Sequence, residues 1–412
     1  MKKLIVGLAV LSLWSCKKDV SKAPVTQNKE LKSGTYRAVL DVKDQKELPF
    51  VFKVDEAKQV SVINAEETIT VDDVVVQGDS VHMTMPVFDA KLTAFITAKG
   101  NLKGYYTKGP RYIKVPFEAM HDVHFRYPTI EKSHHPIAGN WEVTFSPNTK
   151  DSYKAKGVFK DGPDNKITGT FLTETGDYRF LEGALDEERL KLSCFDGAHA
   201  FLFDGIVKND SITSGMFYSG NHYKEPWVAV RNETFELTDP NALTYLKEGY
   251  SGIEFTFPDL NGQQVSLTDE RFKDKAVVIQ IMGSWCPNCL DESKYLSQFY
   301  KNQKPDEVEF VALAFENAKT IEKVTKNLNR LKERIGIDYP ILIAQTGSAS
   351  KTLAAEKLPM LNHILSYPTT IFIDKKGVVR KIHTGFSGPA TGEKYEKFKH
   401  EFERFVETLS KE

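Results

Sequence analysis

The stretch that most constrains this chain is Gly283-Ser284-Trp285-Cys286-Pro287-Asn288-Cys289, set between an apolar run and an amphipathic segment. The run before it, Ala276-Val277-Val278-Ile279-Gln280-Ile281-Met282, is β-branched and short, the profile of a buried strand. Pro287 can open a helix, because its missing N–H would be an orphan at that position anyway. The two thiols are then three residues apart on one face of the first turn. Cys286 stands at the helix N-terminus, where free N–H groups and the dipole favour an anion, and the thiolate is the reactive form of a cysteine. Strand, CxxC and helix together describe a redox dithiol.

Other uses of a cysteine pair fit less well. Zinc needs two further ligands at matching spacing, and the remaining cysteines, Cys16 and Cys194, are each isolated. Haem attachment needs a His after the second Cys, where Leu290 stands. A purely structural bridge here closes a tiny loop and stabilises little. No metal and no cofactor is expected.

At 412 residues the chain exceeds one ordinary core, so two or three domains are expected. The formal net charge of −1 gives no reason to expect nucleic acid as a partner. Lys2-Lys3 precede an apolar run from Leu4 to Trp14 that is too short to span a bilayer comfortably, so residues 1–16 read as a secretory signal. The Leu13-Trp14-Ser15-Cys16 ending resembles a bacterial lipobox, with Cys16 as the lipidated residue, although Trp14 stands where a small residue is usual. An uncleaved anchor with an incidental cysteine is the alternative. Residues 17–32 are polar and aperiodic, as in a flexible tether.

From residue 33 to about 129 the pattern is β, with alternation in Thr35–Leu40, Gln59–Ile63 and Ser80–Met85, and turns such as Gln77-Gly78-Asp79. Residues 136–234 repeat the plan. Ser33-Gly34-Thr35-Tyr36 matches Ala138-Gly139-Asn140-Trp141, Phe88-Asp89 matches Phe195-Asp196, and Gly104-Tyr105-Tyr106 matches Gly215-Met216-Phe217. Two antiparallel all-β modules related by duplication are expected, with one continuous barrel as the alternative. Cys194 shares a strand face with Leu190 and Leu192 and reads as a core residue, while His134-His135 reads as a solvated link. Helical character is expected around Asn241 to Lys247. Residues 250–412 then alternate β and α and end in a hairpin and a helix, which implies a mixed sheet covered on both faces.

Phe255-Thr256-Phe257-Pro258-Asp259-Leu260, Trp285-Cys286-Pro287-Asn288-Cys289 and Tyr367-Pro368-Thr369-Thr370-Ile371-Phe372-Ile373-Asp374 together make this last part resemble the thioredoxin-like proteins of the TlpA/ResA group. The resemblance implies an α/β thioredoxin-like domain in a multidomain chain, with Cys286 and Cys289 as its redox disulfide. It implies that Pro368 is a cis-proline facing the dithiol, and that Trp285, Tyr367 and Thr369 bind substrate. It also matches Glu292 to a buried acid. Helical spacing supports that independently, since Glu292 shares a face with Cys289, Leu296 and Phe299, opposite a solvated face of Asp291, Lys294 and Gln298. A carboxylate facing the core suits proton exchange with Cys289. Gln280 stands where plain thioredoxin has an Asp and cannot relay a proton. Pro287 comes first between the thiols, whereas the family more often has it second.

The expectation is an exported thiol–disulfide oxidoreductase, lipid-anchored in the envelope and facing a Gram-negative-type periplasm. It would reduce disulfides of envelope proteins with electrons from a membrane donor. Two alternatives are an envelope scaffold with secondary redox activity and a thiol peroxidase. The latter needs Pro and Thr or Ser upstream of its cysteine, where Ile279 and Gly283 stand.

Overall fold

Period-two burial carries the strands from Gly34–Val42 to Tyr223–Arg231 into antiparallel sheets. In Gly34–Val42, for example, Tyr36, Ala38, Leu40 and Val42 point into one core. The computed structural model describes residues 29–109, 112–129, 133 and 135–412; Cys16, the signal segment, most of the tether and His134 lie outside them. Among the described residues no helix is long and apolar enough to cross a membrane.

The first sheet has nine strands between Gly34–Val42 and Tyr112–His121, and the second nine between Gly139–Phe145 and Tyr223–Arg231. In each, the first strand lies between the second and the last. The two sheets differ in closure. Tyr153–Asp161 pairs with Lys166–Thr173 and closes the second sheet on itself, around Trp141, Phe145, Phe171, Phe203 and Trp227. Glu67–Val71 and Asp73–Gln77 end the first sheet unpaired with each other. A shared detail ties the two openings together: Tyr36 Oη donates to the Lys32 carbonyl at 3.1 Å, and Trp141 Nε1 to the Ile137 carbonyl at 2.8 Å. Cys194 is fully buried in the second core with Leu190 and Leu192.

The modules pack on each other through stacked Phe50 and Phe195, 4.4 Å between centroids, and Ser193 Oγ donates to the Pro49 carbonyl at 2.6 Å. Residues 241–247 are not helical. Asp239 Oδ1 accepts from the Asn241 N–H at 2.9 Å to make a turn after Pro240, and the Lys247 N–H donates to the Met360 carbonyl. That local bond competes with helix at the segment's start, and pairing to 360–361 takes its end.

The third domain holds a five-stranded mixed sheet in the order Ile341–Gln345, Val308–Phe315, Ala276–Met282, Thr369–Ile373, Val379–Thr384. The first three strands are parallel and the last two antiparallel. Its helices are α1 (Pro287–Asn302), α2 (Ile321–Ile335), α3 (Lys351–Lys357) and α4 (Glu393–Lys411). Thr320 and Ser350 cap α2 and α3 by accepting N–H bonds at 3.3 and 3.4 Å. Tyr295 and Phe299 of α1 meet Phe402 of α4, which also touches Phe310 and Phe372 of the sheet.

Candidate active site

Every residue of Ala276–Met282 is buried, so the central strand delivers the chain to the site along a fixed line. The turn after it is held by a carboxylate: Glu316, fully buried, accepts from the Ser284 N–H at 2.6 Å and its hydroxyl at 2.7 Å. Trp285 Nε1 donates to the Phe315 carbonyl at 3.0 Å. Gly283 is obligatory there, because a Cβ would lie 2.4 Å from the Trp285 ring nitrogen.

Cys286 is the N-cap of α1, and its sulfur accepts the Cys289 N–H at 3.2 Å, so an orphan donor of the helix is aimed at Sγ. The same thiol donates to the Tyr367 carbonyl at 3.4 Å. Both thiols are free; Cys286 is 8 % exposed and Cys289 fully buried. Burial, a hydrogen bond with Cys286 and its charge push the Cys289 thiol well up. The Tyr367–Pro368 bond is cis, and Tyr367 lies edge-on to Trp285 at 5.4 Å.

Glu292 is fully buried one turn below Cys289. Thr370 Oγ1 donates to its Oε1 at 2.7 Å and Gln280 Nε2 to its Oε2 at 2.8 Å, while Ser293 Oγ holds the Gln280 oxygen at 3.0 Å. Desolvation outweighs these two donors and raises the Glu292 carboxyl to about 7. It can therefore hold or release a proton near neutrality. Gln280, which relays nothing itself, orients the acid.

Trp285, Cys286 and Tyr367 border one cavity of about 1010 Å³; Thr369 does not, since its buried hydroxyl donates to the Ser366 carbonyl at 2.9 Å and so shapes the loop. The cavity's other side is the second β module. Ser366 Oγ donates to the Thr175 carbonyl at 2.7 Å, the Gly388 N–H to Asp177 Oδ2 at 2.6 Å, and Asn288 Nδ2 to the Asp177 carbonyl at 3.3 Å. This contact overturns one expectation. Asp291 is not on a solvated face; it is 5 % exposed and ion-paired with Arg179, because the module covers that side of α1. Lys294 and Gln298 are exposed as expected.

Sequence reading missed Thr370, Glu316 and Arg179. An acid directly after the apolar run Phe310–Phe315 was a usable signal for Glu316; nothing local marked Arg179. Among the described residues no cluster of His, Cys, Asp and Glu could hold a metal ion.

A family model described as Redoxin matches residues 247–397. The thioredoxin-like protein YneN of Bacillus subtilis is 29% identical over 140 residues, covering 34% of this chain and 73% of the relative. The thiol-disulfide oxidoreductase ResA of Geobacillus thermodenitrificans is 30% identical over 142 residues, covering 34% of this chain and 72% of the relative. ResA of Bacillus subtilis is 28% identical over 140 residues, with 34% and 69% covered. All these matches span about a third of the chain, and the family model begins at residue 247.

Proposed function

Since this chain belongs to the ResA-like thiol–disulfide oxidoreductases, we propose that it is an exported reductant of disulfides in cell-envelope proteins. The observation that carries the chemistry is the reduced pair itself: Cys286 Sγ faces a cavity and accepts a helix N–H, and Cys289 lies buried behind it above the acid Glu292. Cys286 thiolate attacks one sulfur of the client disulfide; a mixed disulfide forms and one client thiol leaves with a proton. Cys289 passes its proton to Glu292 carboxylate and attacks Cys286 Sγ, which expels the second client sulfur as a thiolate that takes a proton from water, and leaves Cys286–Cys289 oxidised. Two electrons pass to the client, and a membrane donor returns them. Trp285, Tyr367 and Pro368 shape the entry for the client chain, and Thr369 supports that loop.

Lipidation at Cys16 would keep the enzyme beside its donor at a periplasm-facing membrane, and the two β modules descend from one duplicated unit. Supporting the reducing direction, burial and the charge of ionised Glu292 both push the Cys289 thiol up, so the dithiol is not over-stabilised as an anion. The test is Cys289→Ser in cells. It should accumulate client proteins joined to Cys286 by dithiothreitol-sensitive bonds, and Cys286→Ser should not. No thiol exchange by the purified protein, with no trapped clients, would refute the reading.

A further inference from the structure

The cavity beside Cys286 is closed on its far side by the protein's own second module, and this limits what can reach the dithiol. The inference rests on the thiol-exchange reading above and names its substrate class. Cys289 is fully buried and Cys286 only 8 % exposed, so an incoming disulfide must enter the cavity to meet Sγ. Its volume of about 1010 Å³ sits at the upper end for sites that take a small ligand, about 300–1,000 Å³. Across from Trp285 and Tyr367, the module presents Tyr153, Phe201, Phe217 and Tyr223. The cleft thus has an aromatic wall on both sides.

The far wall is built into the redox domain. Gly176 has φ +140, and a Cβ on it would lie 2.1 Å from Asn288 Nδ2, so bare backbone touches the first turn of α1. A Cβ on Gly385 would lie 2.9 Å from the Glu174 carbonyl oxygen, a second approach of two main chains. Between these contacts run the bonds from Ser366, Asn288 and Gly388 to residues 175–177, with Arg179 paired to Asp291. The edge of the Tyr367–Pro368 loop next to Ser366 is therefore occupied by the module.

We propose that the second β module is one wall of the client cleft, and that the substrates are disulfides in short or flexible peptide segments with an aromatic residue beside a cysteine. Disulfides fixed in the surface of a folded domain are excluded by the wall. In each turnover one peptide disulfide becomes two thiols while Cys286–Cys289 closes.

The test uses the full reduced chain with three probes: 2-hydroxyethyl disulfide, a flexible ten-residue disulfide peptide carrying a Phe beside one cysteine, and a folded domain with a single surface disulfide. The peptide should react about 100-fold faster than the folded domain. Tyr223 is 44% exposed and Ser152 exposed, so both tolerate replacement. Tyr223→Ala and the obstructing Ser152→Trp should each slow the peptide by about tenfold relative to 2-hydroxyethyl disulfide in the same preparation. Equal rates for peptide and folded domain, or a peptide-to-small-disulfide ratio unmoved by both variants, overturn the proposal. If none of the three probes oxidises the dithiol, the exchange reading itself fails.

Discussion

Arg179 of the second β module and Asp291 of the redox helix form an ion pair in which both side chains are buried, 3 % and 5 % exposed. The same guanidinium donates to Glu67 of the first module at 2.7 Å and faces Asp196 at 3.4 Å. One cation therefore joins both β modules and the redox domain, a few residues from Cys289. Burying it costs solvation that only its full set of carboxylates offsets.

Removing that cation leaves Glu67, Asp196 and Asp291 without it. Arg179→Met should lower unfolding free energy by about 3–5 kcal/mol, the usual cost of breaking a buried pair from one side. Adding Asp291→Leu should recover part of the loss, since one stranded charge is removed with its partner. Urea denaturation of the single and double variants checks this. Additive losses would mean that the two side chains do not interact.

What was legible in the sequence was what neighbours along the chain enforce. The dithiol, its helix, the buried strand before it and the core-facing Glu292 all follow from period and capping within about twenty residues. The true state of Asp291 was not legible, because its partner lies 112 positions away and the pattern 291, 294, 298 looks solvated on an isolated helix. Likewise Asn241–Lys247 has helical composition, yet the Asp239 turn and pairing with residues 360–361 set its path. Chemistry carried by one element could be read; walls made by packing one module on another could not.

Glu316 should prove structural for the active-site turn. It accepts both the backbone N–H and the hydroxyl of Ser284, and desolvation pushes its carboxyl up. Glu316→Ala leaves the buried Ser284 N–H unpaired, at a cost of about 1–3 kcal/mol. Trp285, hung from the Phe315 carbonyl next door, should lose its fixed environment. Loss of stability together with a changed Trp285 fluorescence, measured against Trp285→Phe as a blank, is the expected result. A stable variant with an unchanged spectrum would remove Glu316 from this role.

Glu292 makes stability depend on pH in a definite direction. Desolvation raises its carboxyl from 4.5 to about 7 in the fold. Between those values the native state keeps a proton that the unfolded chain has released. Stability from this group is thus complete below about pH 4.5 and is lost as pH rises through about 7, by up to about 3 kcal/mol. Glu292→Gln carries no such term. Its stability advantage over wild type should grow by about 2–3 kcal/mol between pH 5 and pH 8 in urea titrations. A constant difference would show that Glu292 titrates like an exposed acid.

The same group should set the redox potential above its own titration. Ionised Glu292 lies one turn from Cys289 and opposes a second negative charge there, as its contribution to the raised Cys289 thiol indicates. An enzyme whose reduced form is not held as thiolate gives up electrons more readily than one whose thiolate is over-stabilised. Replacing Glu292 with Gln removes that opposition only where the acid is charged. The wild-type Cys286–Cys289 pair should therefore be the more reducing at pH 8, by up to about 30 mV, equivalent to about a tenfold change in the exchange equilibrium. At pH 5.5 the carboxyl is protonated and the two potentials should converge. Redox titration of both proteins against glutathione or dithiothreitol buffers at the two pH values decides the point. An equal offset at both, or none at either, would separate Glu292 from the direction of electron flow.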